Sequence, residues 1–203
     1  MKVKIELPPV ERIREIIKSQ HGILYTSDLS KYGIPRTYLS ILQKRGEIQK
    51  ISRAVYASPD SNVDEMTSIQ ARFKVAFFSH ETALYLLGLT DRTPLYYSVT
   101  VPSSYNATSL KASGAKVYFI KNELYLLGAI TMNSSHGNDL RTFNLERTIC
   151  DVLRNRNQLD VQFVNEALKK YIHHKDRNID QLYFYAEKFR VQKIIRNTIE
   201  VLL

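Results

Sequence analysis

The segment from Tyr25 to Pro59 constrains the fold of this chain more than any other. It contains two short helical patterns separated by Gly33, and the second covers about Pro35–Arg45. Two short helices joined by a glycine-containing turn are typical of the helix-turn-helix layout. The residues that follow, Glu47–Ile51 and Ala54–Ala57, alternate in the manner of two paired strands. The segment therefore predicts a helix-turn-helix that carries a β-hairpin wing.

The second helix of this segment has one apolar and one polar face. Pro35, Leu39 and Leu42 share a side of the helical wheel, which predicts the side that packs on the rest of the domain. The opposite side carries the types of side chain with which proteins contact DNA bases and phosphates. The predicted DNA-binding residues of the helix and wing are Arg36, Thr37, Tyr38, Ser40, Gln43, Lys44, Arg45, Lys50, Ser52 and Arg53.

Two other interpretations of this polar face stay open. A polar helix face is often only solvated, and a winged helix can also be a protein-contact module. The position of the face, between a helix-turn and a ribbon with Arg53 at its tip, favours DNA binding. Because the N-terminal residues of such a helix enter the groove, we expect Arg36, Thr37 and Ser40 at base edges. The basic residues farther along the helix and on the wing are better placed for phosphates.

The charge distribution agrees with a polyanionic partner. The chain has a formal charge of +9, and residues 1–60 hold 11 Lys and Arg against 6 Asp and Glu. Residues 141–203 hold 12 against 8, whereas residues 61–140 are balanced at 6 against 6. Because neutralising phosphates releases condensed counterions, this basic excess favours nucleic acid as a partner.

The composition, 44% apolar and 24% charged, is that of an ordinary globular protein. No apolar run reaches the roughly 18 residues that a membrane-spanning helix needs. Lys2 and Lys4 are followed by Glu6, Pro8 and Pro9, which interrupt the apolar core of a signal peptide. We therefore expect a cytoplasmic protein without a membrane partner. A single cysteine excludes an intrachain disulfide and a thiolate metal cluster, and we expect neither a metal nor a cofactor.

The rest of the chain predicts an α+β fold. A helix is expected at about 63–74, and a second at about His80–Leu87. The candidate strands are Tyr96–Val101, Lys116–Ile120, Ala129–Asn133 and Leu140–Asn144. The candidate C-terminal helices are Leu145–Asn155, Asp160–His173 and Asn178–Val201, the last with a candidate break near Arg190.

The predicted architecture is an N-terminal winged helix-turn-helix followed by a mixed α/β domain with a C-terminal helical cluster. We expect a DNA-binding domain at 1–60, a connector helix and strand at 61–78, and a mixed domain at 79–203.

Residues 33–59, GIPRTYLSILQKRGEIQKISRAVYASP, contain a Gly-Ile-x-Arg helix, a Lys-Arg-Gly-Glu element and a wing that ends in Val-Tyr and Pro. This pattern resembles the N-terminal domain of AbiE-type abortive-infection antitoxins, the AbiEi family. The similarity extends over roughly residues 10–155. Its further elements are Ser79–Leu84, Leu87–Asp91, Val99–Pro102 and Glu146–Asp151.

The resemblance implies an antitoxin of a type IV toxin–antitoxin system, with residues 79–203 as the antitoxin domain. It further implies a nucleotidyltransferase-like partner toxin, a role in phage defence, and neutralisation that needs no stable complex. Such an antitoxin represses its own operon by binding promoter repeats, which we expect to be inverted, through the winged helix. The family often has Gly where this chain has Ala54, so we expect a differently shaped wing tip.

The obvious catalytic candidates, Ser79, His80 and Glu81, do not predict an active site. Neighbouring residues on a helix point about 100° apart, so a helix cap followed by a partly buried histidine is expected instead. Cys150 lies among apolar residues, which predicts a buried small hydrophobe. We therefore expect no enzyme activity. A plain winged-helix regulator without antitoxin activity stays open as the alternative, and a DNA nuclease is the weaker one, because clustered carboxylates are lacking.

Overall fold

The computed structural model describes residues 7–61, 64–134 and 137–202. The chain divides into two compact units. The first comprises Met1–Lys74 and Asn133–Asp139, and the second comprises Val75–Met132 and Leu140–Leu203.

The first unit is a winged helix-turn-helix, as the sequence predicts. Its helices are α1 (Pro9–Ser19), α2 (Thr26–Lys31), α3 (Thr37–Lys44) and α4 (Glu65–Arg72). Its strands are β1 (Ile23–Tyr25), β2 (Gln49–Ser52) and β3 (Val55–Ala57). The strands form an antiparallel sheet in the order β1-β3-β2, so β2 and β3 form the wing directly after α3.

Apolar side chains from every element of the helix-turn-helix form the core of this unit. The periodic positions of α1 and α3 supply its helical part, because residues three and four apart share a helix face. The buried members are Ile13, Ile16, Leu24, Leu29, Ile34, Leu39, Leu42 and Ile48. A smaller cluster of Ile23, Val55 and Ala71 packs α4 against the sheet.

The second unit begins with a three-stranded mixed sheet. Its elements are β4 (Phe77–Phe78), α5 (His80–Leu86), β5 (Ser98–Pro102), α6 (Thr108–Lys111) and β6 (Lys116–Ile120). β5 pairs antiparallel with β4 and parallel with β6, and α6 lies in the crossover that a parallel pair requires. Two further strands, β7 (Ala129–Asn133) and β8 (Asp139–Phe143), pair with each other.

The part of the chain that the structure describes ends in four helices, the first of which is buried. They are α7 (Leu145–Arg154), α8 (Val161–Ile172), α9 (Ile179–Phe189) and α10 (Gln192–Leu202). Residues 145–153 of α7 are all buried, because α5, α8 and α9 pack around this helix. In the described part of the chain, no helix combines the length and apolar character that crossing a membrane requires.

One fully buried cation, Arg147, lies at the centre of this cluster. Its Nε donates to Asp151 Oδ2 at 3.0 Å, and its Nη1 donates to the carbonyl oxygens of Leu124 and Leu127. The rings of Phe143 and Phe189 each lie 4.2 Å from the guanidinium carbon. A buried charge is tolerated only when it is paired and hydrogen-bonded, and these contacts supply partners for Nε and Nη1, whereas the buried Nη2 has no hydrogen-bond partner.

The α+β fold class predicted from the sequence is confirmed, and several elements match closely. β6 and β7 have their predicted bounds, and the helical segment after Asn178 breaks at Arg190 as expected. Other elements begin later than expected, among them β2, which begins at Gln49 instead of Glu47, and β5, which begins at Ser98 instead of Tyr96. α3 begins at Thr37, so Pro35 precedes the helix and is exposed instead of packing on the core.

The connector helix α4 begins at Glu65. Asp64 caps it by accepting a hydrogen bond from the Thr67 N–H at 2.6 Å. The expected start near Val63 lies outside the described residues. The strand expected within 61–78 corresponds to β4. The strand β1 was not predicted, because three residues are too few to show an alternating pattern.

Removing the buried cation is expected to destabilise the second unit strongly. Arg147→Ala leaves the Asp151 carboxylate buried without its partner, which should lower the free energy of unfolding by about 3–5 kcal/mol. Urea denaturation measures this difference. Lys169→Ala, which removes an exposed cation of α8, is the control and should change stability by no more than about 0.5 kcal/mol. A loss below about 1 kcal/mol for Arg147→Ala would contradict this role.

Candidate nucleic-acid interface

Hydrogen bonds at both ends hold α3 against the core of the first unit. In the turn after α2, the Ile34 N–H donates to the Leu29 carbonyl at 2.8 Å. This bond requires Gly33 to adopt φ +64°, a left-handed conformation that disfavours other residues. At the far end of α3, the Glu47 N–H donates to the Leu42 carbonyl at 2.9 Å. The orientation of α3 therefore follows from its two neighbouring turns.

The polar side of α3 faces away from the core. Leu39 and Leu42 are 4% and 1% exposed, and they occupy the side of α3 that packs inward. The exposed polar residues on and just before the helix form what we call the recognition face: Arg36, Thr37, Ser40, Gln43 and Lys44. Tyr38, also predicted to contact DNA, is half-buried and packs against the core cluster. The structure therefore places five of the predicted helix residues on one accessible surface.

An apolar residue on the outside of α3 escaped the sequence reasoning. Ile41 is 39% exposed, although it lies in a helix whose other leucine-type residues are buried. It follows Thr37 by four residues, so the two side chains share a helix face. A side chain of this type on a DNA-reading helix can contact the methyl group of thymine. On a helical wheel Ile41 lies away from the side that carries Leu39 and Leu42, and this position indicates that it is exposed.

A carboxylate lies close to one end of the recognition face. Glu47 accepts two hydrogen bonds from Arg14, at 2.9 and 3.1 Å, and these bonds lower the pKa of Glu47. The same carboxylate lies 3.9 Å from Arg45 Nη1, so it partly neutralises that predicted phosphate contact. Among the described residues, Arg36 and Lys44 form no ion pair, which leaves their charges available to a ligand.

The two cations predicted on the wing are exposed, whereas the hydroxyl of the predicted serine is not. Lys50 lies opposite Tyr56 in the β2–β3 pair, and its side chain is exposed. Arg53 is exposed in the turn between the strands. Ser52 is half-buried and its hydroxyl oxygen is inaccessible, so in this conformation Arg53 and Lys50 are the wing groups that can reach a phosphate.

The wing tip keeps the backbone geometry that glycine favours. Ala54 has φ +66°, and its carbonyl accepts a hydrogen bond from the Thr26 N–H at 3.0 Å. This bond ties the tip to the start of α2. The expectation that alanine gives a differently shaped tip is therefore wrong, because the alanine adopts the left-handed conformation at a cost in strain.

Ser79 and His80 form a buried hydrogen-bonded pair in the second unit. His80 has φ +50°, and its Nδ1 lies 3.0 Å from Ser79 Oγ. Neighbouring residues within a helix point about 100° apart, but Ser79 has an extended backbone and precedes helix α5, so its hydroxyl can reach the His80 ring. The structure thus differs from the expected cap. The Ser79 hydroxyl bonds to His80 and Thr100 instead of the helix N-terminus, and His80 is fully buried instead of partly buried.

The direction of these hydrogen bonds disfavours a nucleophilic serine. Asn155 Nδ2 lies 2.9 Å from His80 Nε2 and also donates to the Asp151 carbonyl, so His80 Nε2 is the acceptor. His80 Nδ1 then carries the proton and donates to Ser79, whereas a general base must accept from its nucleophile. Burial lowers the pKa of His80 well below its ordinary value, so the imidazole is neutral. Ser79 and His80 are 0% and 1% exposed, which closes the pair to a substrate.

Other candidate reactive groups occupy structural positions. Cys150 is buried as predicted, and burial raises the pKa of its thiol. His173 Nδ1 lies 2.8 Å from the Lys169 carbonyl at the end of α8. Within residues 7–61, 64–134 and 137–202, no three His, Cys, Asp or Glu side chains are grouped as metal ligands.

The fold and the recognition face together define a protein with a winged-helix domain whose polar helix face is exposed. Residues 11–59 match the family model described as "Transcriptional regulator, AbiEi antitoxin". This match confirms the resemblance to AbiE-type antitoxins over residues 11–59. No curated protein sequence matches the chain.

A solved structure extends the similarity in fold beyond this segment. The crystal structure of the RV2827C protein from Mycobacterium tuberculosis superimposes with a TM-score of 0.55. The alignment covers 90% of this chain and 72% of that protein, at 13% sequence identity. At this identity the comparison shows a shared fold for both units and carries no information on function.

Replacing the strained alanine of the wing is expected to stabilise the first unit. Ala54→Gly removes left-handed strain of about 1–2 kcal/mol and adds unfolded-state entropy worth about 0.5–1 kcal/mol, so a net gain of up to about 1 kcal/mol is expected. Thermal unfolding measures the gain. Ala112→Gly is the matched control, since Ala112 has φ −63° and no strain to relieve, and it should lower stability. Destabilisation by Ala54→Gly would show that the tip is not strained.

Proposed function

We propose that this protein is the antitoxin of a type IV toxin–antitoxin system and that it represses its own operon through its winged helix. In this proposal residues 1–60 bind promoter DNA, residues 61–78 connect, and residues 79–203 carry the antitoxin activity. The protein acts in the cytoplasm without catalysing a reaction. The partner is a nucleotidyltransferase-like toxin, which is antagonised without a stable complex.

The recognition face is the observation that supports DNA binding. Its five polar residues are all exposed, and they lie beside a wing whose Arg53 is exposed at the tip. A solvated helix face needs no such brace, whereas a helix that enters a DNA groove is held there by contacts to the flanking phosphates. The position of this surface inside residues 11–59, which match an antitoxin regulator family, supports the same function.

The positions of these residues suggest which of them contact DNA bases and which contact phosphates. Arg36, Thr37 and Ser40 lie at the N-terminal end of α3, the part of such a helix that goes deepest into the major groove. Arg36 can donate two hydrogen bonds to guanine, and the hydroxyls can serve bases or phosphates. Lys44 and Lys50 are placed for phosphates on the backbone. We expect inverted promoter repeats, because a symmetric pair of bound chains reads a symmetric site.

Two substitutions should separate base reading from phosphate binding. Arg36→Ala should cost about 1–3 kcal/mol in binding to the promoter and relax sequence preference. Arg53→Ala should weaken binding to all sequences alike and reduce the slope of log K against log salt by about 1. Fluorescence anisotropy with the promoter and a scrambled duplex, at several salt concentrations, measures both effects.

Lys18→Ala is the matched control for these variants. It also removes one exposed positive charge from the first unit, but from α1 and not from the recognition face or wing. It should leave sequence preference unchanged. If the Arg36→Ala, Arg53→Ala double variant binds the promoter with wild-type affinity, the assignment of the recognition face is wrong.

The antitoxin activity should survive the loss of DNA binding. We expect the full chain carrying Arg36→Ala and Arg53→Ala to rescue growth against a toxin encoded beside it, while a promoter reporter is no longer repressed. The physical reason is that the two substituted side chains lie in the first unit, whereas the proposal places neutralisation in residues 79–203. Colony counts with and without toxin induction measure rescue.

Wild-type protein that represses the reporter but rescues no cells would identify a plain winged-helix regulator and overturn the antitoxin part of the proposal. Rescue that disappears together with repression would place neutralisation in the DNA-binding domain.

A further inference from the structure

A small cleft in the second unit is lined mainly by cations. It has a volume of about 420 Å³ and lies where the end of α7, the end of α9 and the residues after β6 meet. We call it the basic cleft. Its lining residues are Lys121, Glu123, Leu124, Arg154, Lys188, Phe189 and Arg190.

The charges of the basic cleft are not balanced within the protein. Four cationic side chains face one carboxylate, Glu123, which lies 3.7 Å from Lys121 Nζ. Among the described residues, Arg154, Lys188 and Arg190 form no ion pair. Like charges that converge on a concave surface repel one another, and the concave shape focuses their field on a bound anion.

A cavity in the first unit shows that such an imbalance is not general in this protein. That cavity is larger, about 770 Å³, and its lining carries Arg14 and Lys18 together with Glu47 and Asp60. Formal charges there cancel, and Arg14 is already bonded to Glu47. Of these two cavities in the described part of the chain, the basic cleft is the one with charge left for a ligand.

Favourable interactions with helix ends explain only part of this charge. Arg154 and Lys188 lie in the last turns of α7 and α9, where a cation is stabilised by the helix dipole. The same effect favours the charge of Arg190, the C-cap of α9, but it does not explain why a residue other than glycine adopts the left-handed conformation there, with φ 59° and ψ 38°.

Glycine would adopt the backbone conformation of Arg190 with less strain. The Val191 N–H donates to the Ala186 carbonyl at 2.9 Å, and buried Val191 leads into α10. This is the position after a helix that glycine usually occupies. An arginine held in strained geometry beside a cleft points to a function for its side chain.

We propose that the basic cleft binds the oligophosphate group of a small molecule. Arginine guanidinium groups pair with phosphate oxygens through two parallel hydrogen bonds, and Lys121 and Lys188 add point charges. The volume lies in the range of small-ligand pockets, whereas duplex DNA lies across an open surface. The site belongs to residues 79–203 and does not depend on DNA binding by the recognition face.

Calorimetric titration of the full chain with inorganic tripolyphosphate and with ATP tests this inference. Both should bind, and Arg154→Gln and Arg190→Gly should each weaken binding by at least about tenfold. The control is Lys169→Gln, which removes an exposed charge of α8 outside the cleft and should leave the affinity unchanged.

Arg190→Gly separates ligand binding from folding. Because glycine relieves the left-handed strain, this variant should have an unchanged or higher Tm while it loses affinity. Absence of binding by the wild type, or wild-type affinity in Arg190→Gly, would overturn the proposal. So would displacement of ATP by a single-stranded RNA with a 5′-hydroxyl, which would identify a nucleic-acid surface instead. Promoter binding by Arg190→Gly should be normal, and a loss there would also overturn it.

Discussion

Burial of the Arg147 guanidinium organises the second unit, because a charge without access to water restricts everything that surrounds it. It requires a carboxylate, which Asp151 supplies one helical turn away, and carbonyl oxygens, which the turn before β7 supplies. Gly128 lies in this turn, and a Cβ there would come within 2.7 Å of Arg147 Cβ. The turn, α7 and the end of α9 are thereby fixed together. Leu124 and Phe189, which touch Arg147, also line the basic cleft, so the shape of that cleft depends on the same interaction.

The first unit reaches its functional geometry by apolar packing instead. Burial of Leu39 and Leu42 decides which side of α3 is inside, and the polar residues of that helix are left outside as a consequence. The wing follows from the same core, since β3 pairs on one edge with β1 and on the other with β2. A bond from the start of α2 to Ala54 then fixes the tip that carries Arg53.

The basic residues of this protein therefore lie on two surfaces of different shape. On α3 and the wing the cations lie on a projecting surface, which suits a groove and its flanking phosphates. In the basic cleft they converge on a concave site, which suits a compact anion. Net charge alone does not distinguish these cases, because a sum of charges contains no information about the curvature of the surface that carries them.

The sequence by itself determined the winged helix-turn-helix, the α+β class and the polar set on α3, because these depend on local periodicity and on residues that begin and end helices. Tertiary structure decided the rest. Only packing shows that Pro35 is exposed, that Tyr38 is half-buried and that Ser52 turns its hydroxyl inward. Only the fold brings Arg154 and Arg190, far apart along the chain, to one cleft. Such long-range contacts leave no periodic signal, since they depend on how helices cross and not on the spacing of residues along any one of them.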